Sequence, residues 1–141
     1  MHQALQDIVD TFASVDVPTR RMMLLEYSDQ LPELPERYRL AMEHGAGRVH
    51  ECQTPVYVYP VVEEDTVHIE AYAPPESPTV RGVVSILKEA LSGASPDEVS
   101  QVPEDLFTQM GLVEAIGMMR QRGLAAVLHS VKHAVESQAT S

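Results

Sequence analysis

Apolar residues near the amino end recur three and four positions apart, at Leu5, Ile8, Val9 and Phe12. That spacing gathers them on one face of a short helix. Asp16 then reads as an N-cap, and Pro18 suits the first turn of a second helix running through RRMMLLEYSDQ. Pro32 and Pro35 in LPELP forbid its continuation and favour an extended link. ERYRLAMEH predicts a further helical turn or two, closed by Gly45 and Gly47. The period then becomes that of a strand. Val56 and Val58 alternate with Tyr57 and Tyr59, and Pro60 pushes the end of this run to an edge or a bulge. VEED supplies turn residues, and in TVHIEAY the apolar Val67, Ile69 and Ala71 again alternate with His68, Glu70 and Tyr72. Two such runs with a short polar link predict an antiparallel hairpin, which a short strand around Arg48 to His50 would extend.

After the APPESP loop the helical period returns, from Pro78 through Val80, Val83, Val84, Leu87, Ala90 and Leu91, with Gly93 as the stop. Ser95 to Glu98, SPDE, is a capping box with proline at the first helical position. PEDLFTQM predicts a short helix ended by Gly111. The last helix is expected from about Met118 to Glu136, with Leu124, Val127, Leu128, Val131 and Val135 as its apolar stripe. Residues 136–141 are expected to be a frayed tail. Helices, then a small antiparallel sheet, then helices make an α+β chain. No linker divides it, so residues 1–141 are expected to form one domain.

The composition narrows what such a domain can do. One cysteine cannot make an internal disulfide, which excludes a disulfide framework. The opening MHQALQDIVDTFASVD lacks the basic and apolar regions of a signal peptide, and no apolar run reaches the length of a membrane span. The expected compartment is the cytoplasm. A formal net charge of −11 argues against nucleic acid and anionic membranes as partners, and favours a basic surface on another protein. Tryptophan is absent and phenylalanine scarce, so the core must be aliphatic, with methionine filling gaps.

The candidate chemistry centres on Cys52. His50, Glu51, Gln53 and Thr54 beside it are polar and Pro55 breaks regularity, so the thiol is expected in a loop before the strand rather than as an inert core residue. Arg120 and Arg122 are distant cations that could lower its pKa. His44, His50 and Cys52, or His129 and His133 four apart, suggest a metal. Structural zinc wants several cysteines, however, and HSVKH is not the HExxH motif, so no metal and no cofactor are expected. On an extended chain His50 would point the same way as Cys52, but nothing else supports a hydrolase triad. No glycine-rich phosphate loop is present, and a dithiol cycle needs a second cysteine. What remains is carriage: one thiolate can take the outer sulfur of a partner's persulfide and hand it on.

Several segments, in order, resemble one family. VHECQTPVYVY resembles the active-site segment of the SufE family, usually V-x-G-C-x-S-x-V-W. SPTVRGVVSILKEALSGASPDEV is similar to its [IV]-[KR]-G-[LV] helix followed by N-G-x-[ST]-P-E-E. VPEDLFTQMGL and RQRGLAAVL resemble its D-P-E-D-F-F-x-x-L-G-L and S-R-x-x-G-L-x-x-[ML], and LPELPE fits the L-P-x-L-P ahead of the cysteine. The resemblance implies a SufE/IscU-like α+β fold. It also implies a protein, not itself an enzyme, that takes persulfide sulfur from a group II cysteine desulfurase (SufS- or CsdA-like). Such a protein stimulates that pyridoxal-phosphate enzyme and passes the sulfur to an iron–sulfur scaffold complex. By motif, Cys52 is then the acceptor and Arg120, three residues before Gly123, a stabiliser of its thiolate or persulfide. His50, Glu51, Gln53, Glu76 and Arg81 are expected to face the partner. Glu51 stands where the family usually has glycine, a strained exchange if the position needs positive φ. Met118 and Met119 replace a Pro-Ser pair. The other reading kept open is a regulator that binds a desulfurase without carrying sulfur.

Overall fold

A computed structural model describes residues 2–140. The first helix, α1, spans Gln3–Ala13 and buries Leu5, Val9 and Phe12. Asp16 caps α2, Val17–Gln30, by accepting the Thr19 backbone N–H at 3.0 Å. The LPELP link follows, and then α3, Glu36–Glu43. The hairpin pairs β1, Tyr57–Glu63, with β2, Thr66–Tyr72, Tyr57 lying opposite Tyr72 and Glu63 opposite Thr66. It turns on Glu64 and Asp65, both at positive φ, as a tight hairpin whose twist matches the strands requires. The strand expected around Arg48 to His50 is reduced to one bridge, Arg48 to Tyr57, because the chain turns away immediately after it.

The central element is α4, Pro78–Leu91. Its buried residues include Val80, Gly82, Val83, Ile86, Leu87 and Leu91, so it is enclosed on most sides. It packs between α2 and β2. A Cβ at Gly82 would collide with the Leu24 carbonyl of α2, so the two helices approach backbone to backbone. Next come α5, Pro96–Ser100, with the expected capping box at Ser95 and Glu98, and α6, Leu106–Gln109. A short helix the pattern did not reveal, α7, Leu112–Ile116, lies between Gly111 and Gly117. The last helix, α8, Met118–Ala139, packs on β1, α4 and α5.

Two expected roles change. Arg81 was expected at a partner surface, but its guanidinium is a clamp within the fold. Nε donates to the Ser28 carbonyl at 3.1 Å, Nη1 to Ala73 at 2.6 Å and Nη2 to Leu31 at 3.1 Å. The reason lies in the LPELP link: α2 cannot continue through its prolines, and its last carbonyls need donors from elsewhere. The tail expected to fray from 136 is instead helical to Ala139, while Ser141 lies outside the described residues. Gln138 holds it, donating to the Pro60 carbonyl at 2.7 Å and accepting the Val62 N–H at 2.8 Å. That closes the outer edge of β1. The outer edge of β2 is closed by Gly93 and Ala94, which exchange hydrogen bonds with Val67.

Replacing Arg81 by Met should leave these carbonyls without their charged donor and lower stability by about 2–4 kcal/mol. Gly82→Ala should be at least as damaging, because the obstacle is backbone and not a side chain that can swing away. Urea denaturation followed by circular dichroism measures both.

Candidate functional site

The site begins with the loop between α3 and β1. Val49 donates its N–H to Val56 at 3.0 Å, and Cys52 donates to Val49 at 3.2 Å. Val49 and Val56 are both buried, so the loop is pinned into the core at each end. The tight turn inside it points Cys52 inward, and the residue is 3 % exposed. The cysteine lies in a loop before the strand, as expected, but with its side chain covered. His50, two residues away, is exposed and is not among the residues lining the cleft that Cys52 borders. Glu51 and Gln53 are exposed beside it. The non-glycine residues at positive φ among those described are Glu64 and Asp65, so Glu51 carries no left-handed strain.

Cys52 sits against α8. A Cβ at Gly123 would lie 3.2 Å from Cys52 Sγ and 3.3 Å from its Cα, closer than ordinary packing. The bare helix backbone therefore makes the seat for the thiol. On its open side Cys52 borders a cleft of about 480 Å³, floored also by Val80 and Gly123. Glu51, Gln53 and Ser77 form part of its rim, and Met119, Arg120 and Arg122 the part facing them. Ser77 is the N-cap of α4, and Met119 and Arg120 belong to the first turn of α8. The amino ends of two helices thus border the cleft, and helix amino ends favour negative charge. Arg120 and Arg122 are exposed, and neither makes an ion pair among the described residues. Exposed Met118 and Met119 add an apolar step next to them.

The electrostatics at sulfur differ from those expected. Burial pushes the Cys52 thiol above its ordinary range, while the Thr54 backbone amide and the charge of Arg48 pull it down. Arg120, beside the cysteine in the cleft, donates to the Ile116 carbonyl at 3.5 Å. Sequence reasoning missed Arg48 because nothing in RVHEC shows that the loop folds back on itself. Glu76 is exposed just ahead of Ser77, whereas Arg81 lines a different cleft with Pro32 and Arg39. His129 and His133 stack on α8 with ring centroids 6.4 Å apart. No group of three metal-ligating side chains forms among the described residues. Nor is any helix among them long and apolar enough to cross a membrane.

The arrangement can hold one sulfur nucleophile, sheltered at rest, in a cleft that tolerates negative charge. Known proteins of similar sequence carry the family name that the motifs suggest. An uncharacterized SufE-like protein of Mycobacterium tuberculosis is 34 % identical over 91 % of this chain and 88 % of its own. The cysteine desulfuration protein SufE of Plasmodium falciparum is 26 % identical over 73 % of this chain and 41 % of its own. The solution structure of a hypothetical protein from Thermus thermophilus matches with a TM-score of 0.83 and 35 % identity, covering 98 % of this chain and 97 % of that one. The SufE profile, described as an Fe-S metabolism associated domain, matches residues 6–135, and the chain belongs to the SufE family.

Proposed function

We propose that the protein takes sulfur from the persulfide of a cysteine desulfurase onto Cys52 and delivers it for iron–sulfur cluster assembly. The observation that carries this reading is the placement of the chain's one cysteine at the floor of the cleft between the amino ends of α4 and α8. Family membership supports the broader role in Fe-S metabolism. In the transfer, the Cys52 thiolate attacks the outer sulfur of the donor's R–S–SH. A new S–S bond forms, the donor's S–S bond breaks, and the donor leaves as R–S⁻. The sulfane sulfur keeps its proton and its oxidation level, so no outside oxidant or reductant enters. A second exchange with an acceptor thiol unloads it.

The group II desulfurase implied by the motifs is the donor we favour, with a scaffold complex as recipient. The cytoplasm suits this chemistry because single thiols stay reduced there. A sulfur added to Cys52 extends into the cleft bordered by Arg120, the residue we assign to steady the loaded state. Glu51, Gln53 and His50, exposed around the cysteine, and Glu76 near the α4 end are the surface we assign to partner docking. Because Cys52 is covered at rest, docking must also loosen its loop. On this reading the protein is not an enzyme in its own right but a carrier that draws sulfur off the desulfurase and so speeds it. The exposed Glu51 carboxylate beside the thiol, where the family pattern has glycine, favours the second reading, a regulator that binds without carrying.

Incubation with a desulfurase, pyridoxal phosphate and cysteine should add the mass of one sulfur, removable by reductant, and Cys52→Ser should abolish the addition while keeping the fold. Intact-mass spectrometry reads this directly. Stimulation that survives Cys52→Ser without any added sulfur would favour the regulator. At neutral pH the resting thiol should react with iodoacetamide more slowly than in the urea-unfolded chain, since burial both disfavours the thiolate and covers the sulfur. The native rate should climb as pH passes the ordinary thiol range, and a docked desulfurase should raise it at constant pH.

A further inference from the structure

Arg81 carries a charge that no carboxylate in the fold offsets. Its guanidinium donates to the carbonyls of Ser28, Ala73 and Leu31, and no ion pair among the described residues includes it. A guanidinium has more N–H groups than these carbonyls use, so Nη1 and Nη2 each keep a free one. The side chain is half-buried, and a charge drawn partly out of water is costly until it is paired. Arg81 also lines a second cleft, of about 440 Å³.

The walls of this cleft come from separate stretches of chain. Leu34 of the LPELP link and Ala71 near the end of β2 are buried and form its inner lining. Met42 of α3 and Tyr72 of β2 continue the apolar surface outward. Two carboxylates belong to the rim. Glu33 accepts from Arg39 Nη2 at 3.1 Å and its side chain is 90 % exposed, while Glu43 on α3 is exposed as well. Neither is paired with Arg81. The volume and the lining are those of a small-ligand site, mostly apolar with a few placed polar groups.

The chemistry of the occupant follows from this arrangement. The free N–H groups of Arg81 suit a carboxylate, which a guanidinium binds through charge-assisted hydrogen bonds. The apolar walls ask for a carbon body attached to it. A phosphate dianion fits less well, because the rim carboxylates repel two charges more than one and the apolar lining gains nothing from it. The cleft is also separate from the cysteine's. Pro75 lines the one and Ser77 the other, so the two lie on either side of one short loop, and no residue lines both.

We infer that this second cleft binds a small organic monocarboxylate, with its carboxylate on Arg81 and its apolar body against Leu34, Met42, Ala71 and Tyr72. The site does not use Cys52, so it stands or falls independently of the carrier function proposed above.

The test is a titration of the ¹⁵N-labelled full chain with 3-phenylpropionate, followed by nuclear magnetic resonance. The Arg81 Nε–H and the amides of Met42, Ala71 and Tyr72 should shift saturably, with a dissociation constant of about 1 mM or below. The uncharged analogue 3-phenylpropionamide should bind about tenfold or more weakly, since it lacks the charge that Arg81 pairs. Arg81 itself is left in place because it holds the fold together. Met42→Trp, which fills the cleft, should abolish the shifts, and Cys52→Ser should bind like the unaltered chain. If Met42→Trp fails to fold by circular dichroism, the acid and amide comparison decides. Shifts that never saturate overturn the inference, as does an amide that binds as tightly as the acid. So do a folded Met42→Trp protein that binds unchanged and inorganic phosphate that competes as strongly as the acid. Shifts centred on Arg120 and Arg122 put the acid in the cysteine's cleft and overturn it too.

Discussion

Two close approaches at glycines set the geometry on which the site depends. At Gly82 the central helix α4 touches the Leu24 carbonyl of α2, and at Gly123 the last helix α8 touches Cys52. A Cβ at Gly82 would strike backbone and hold the helices apart, and one at Gly123 would crowd the cysteine. The first contact fixes where α4 lies and therefore where its amino end, with Ser77 and Val80, opens. The second brings the cysteine loop down onto α8. Only when both are made do the amino ends of the two helices meet beside one sulfur. Arg81, next to Gly82, reinforces the first contact by bonding the end of α2 and the residue after β2.

The seating of Cys52 creates a conflict between protection and reactivity. Covering the sulfur keeps oxidants away from it, since oxidation follows thiolate character and exposure. The same burial favours the neutral thiol and slows attack. Two features work against this penalty without uncovering the sulfur, the Thr54 backbone amide and the charge of Arg48. In the proposed transfer, a partner that draws the loop out would remove the desolvation and so couple docking to chemical activation. The exchange of glycine for Glu51 leaves this loop unstrained, because its backbone stays out of the left-handed region.

Charge is arranged against the average. The chain is strongly acidic, with a formal net charge of −11, yet Arg120 and Arg122 stand together at the cleft. Two helix amino ends add to the local positive field. The cleft is therefore locally positive on a surface that is acidic on average, although burial still disfavours the anion at the resting sulfur. The apolar Met118 and Met119 beside the arginines give a docking protein something to bury as well as something to pair with.

The sequence alone determined the elements and the family. Helical spacing in α1, α4 and α8, alternation in the hairpin, the Asp16 cap and the Ser95 capping box all rest on residues within a turn or two of one another, so local pattern suffices to read them. The lone cysteine and its flanking motif were legible for the same reason. α7 escaped because five residues between two glycines hold too short a pattern to show a period. The tertiary structure decided everything that depends on residues far apart in the chain. It turned Cys52 inward and His50 outward, brought Gly123 beneath the sulfur, and committed Arg81 to carbonyls that the prolines after α2 had left open. It also tied Gln138 to the edge of β1 and set Arg48 against Tyr57 at the base of the cysteine loop. Which charge reaches which atom is set by distance and burial after packing, and neither quantity is written in the order of the residues.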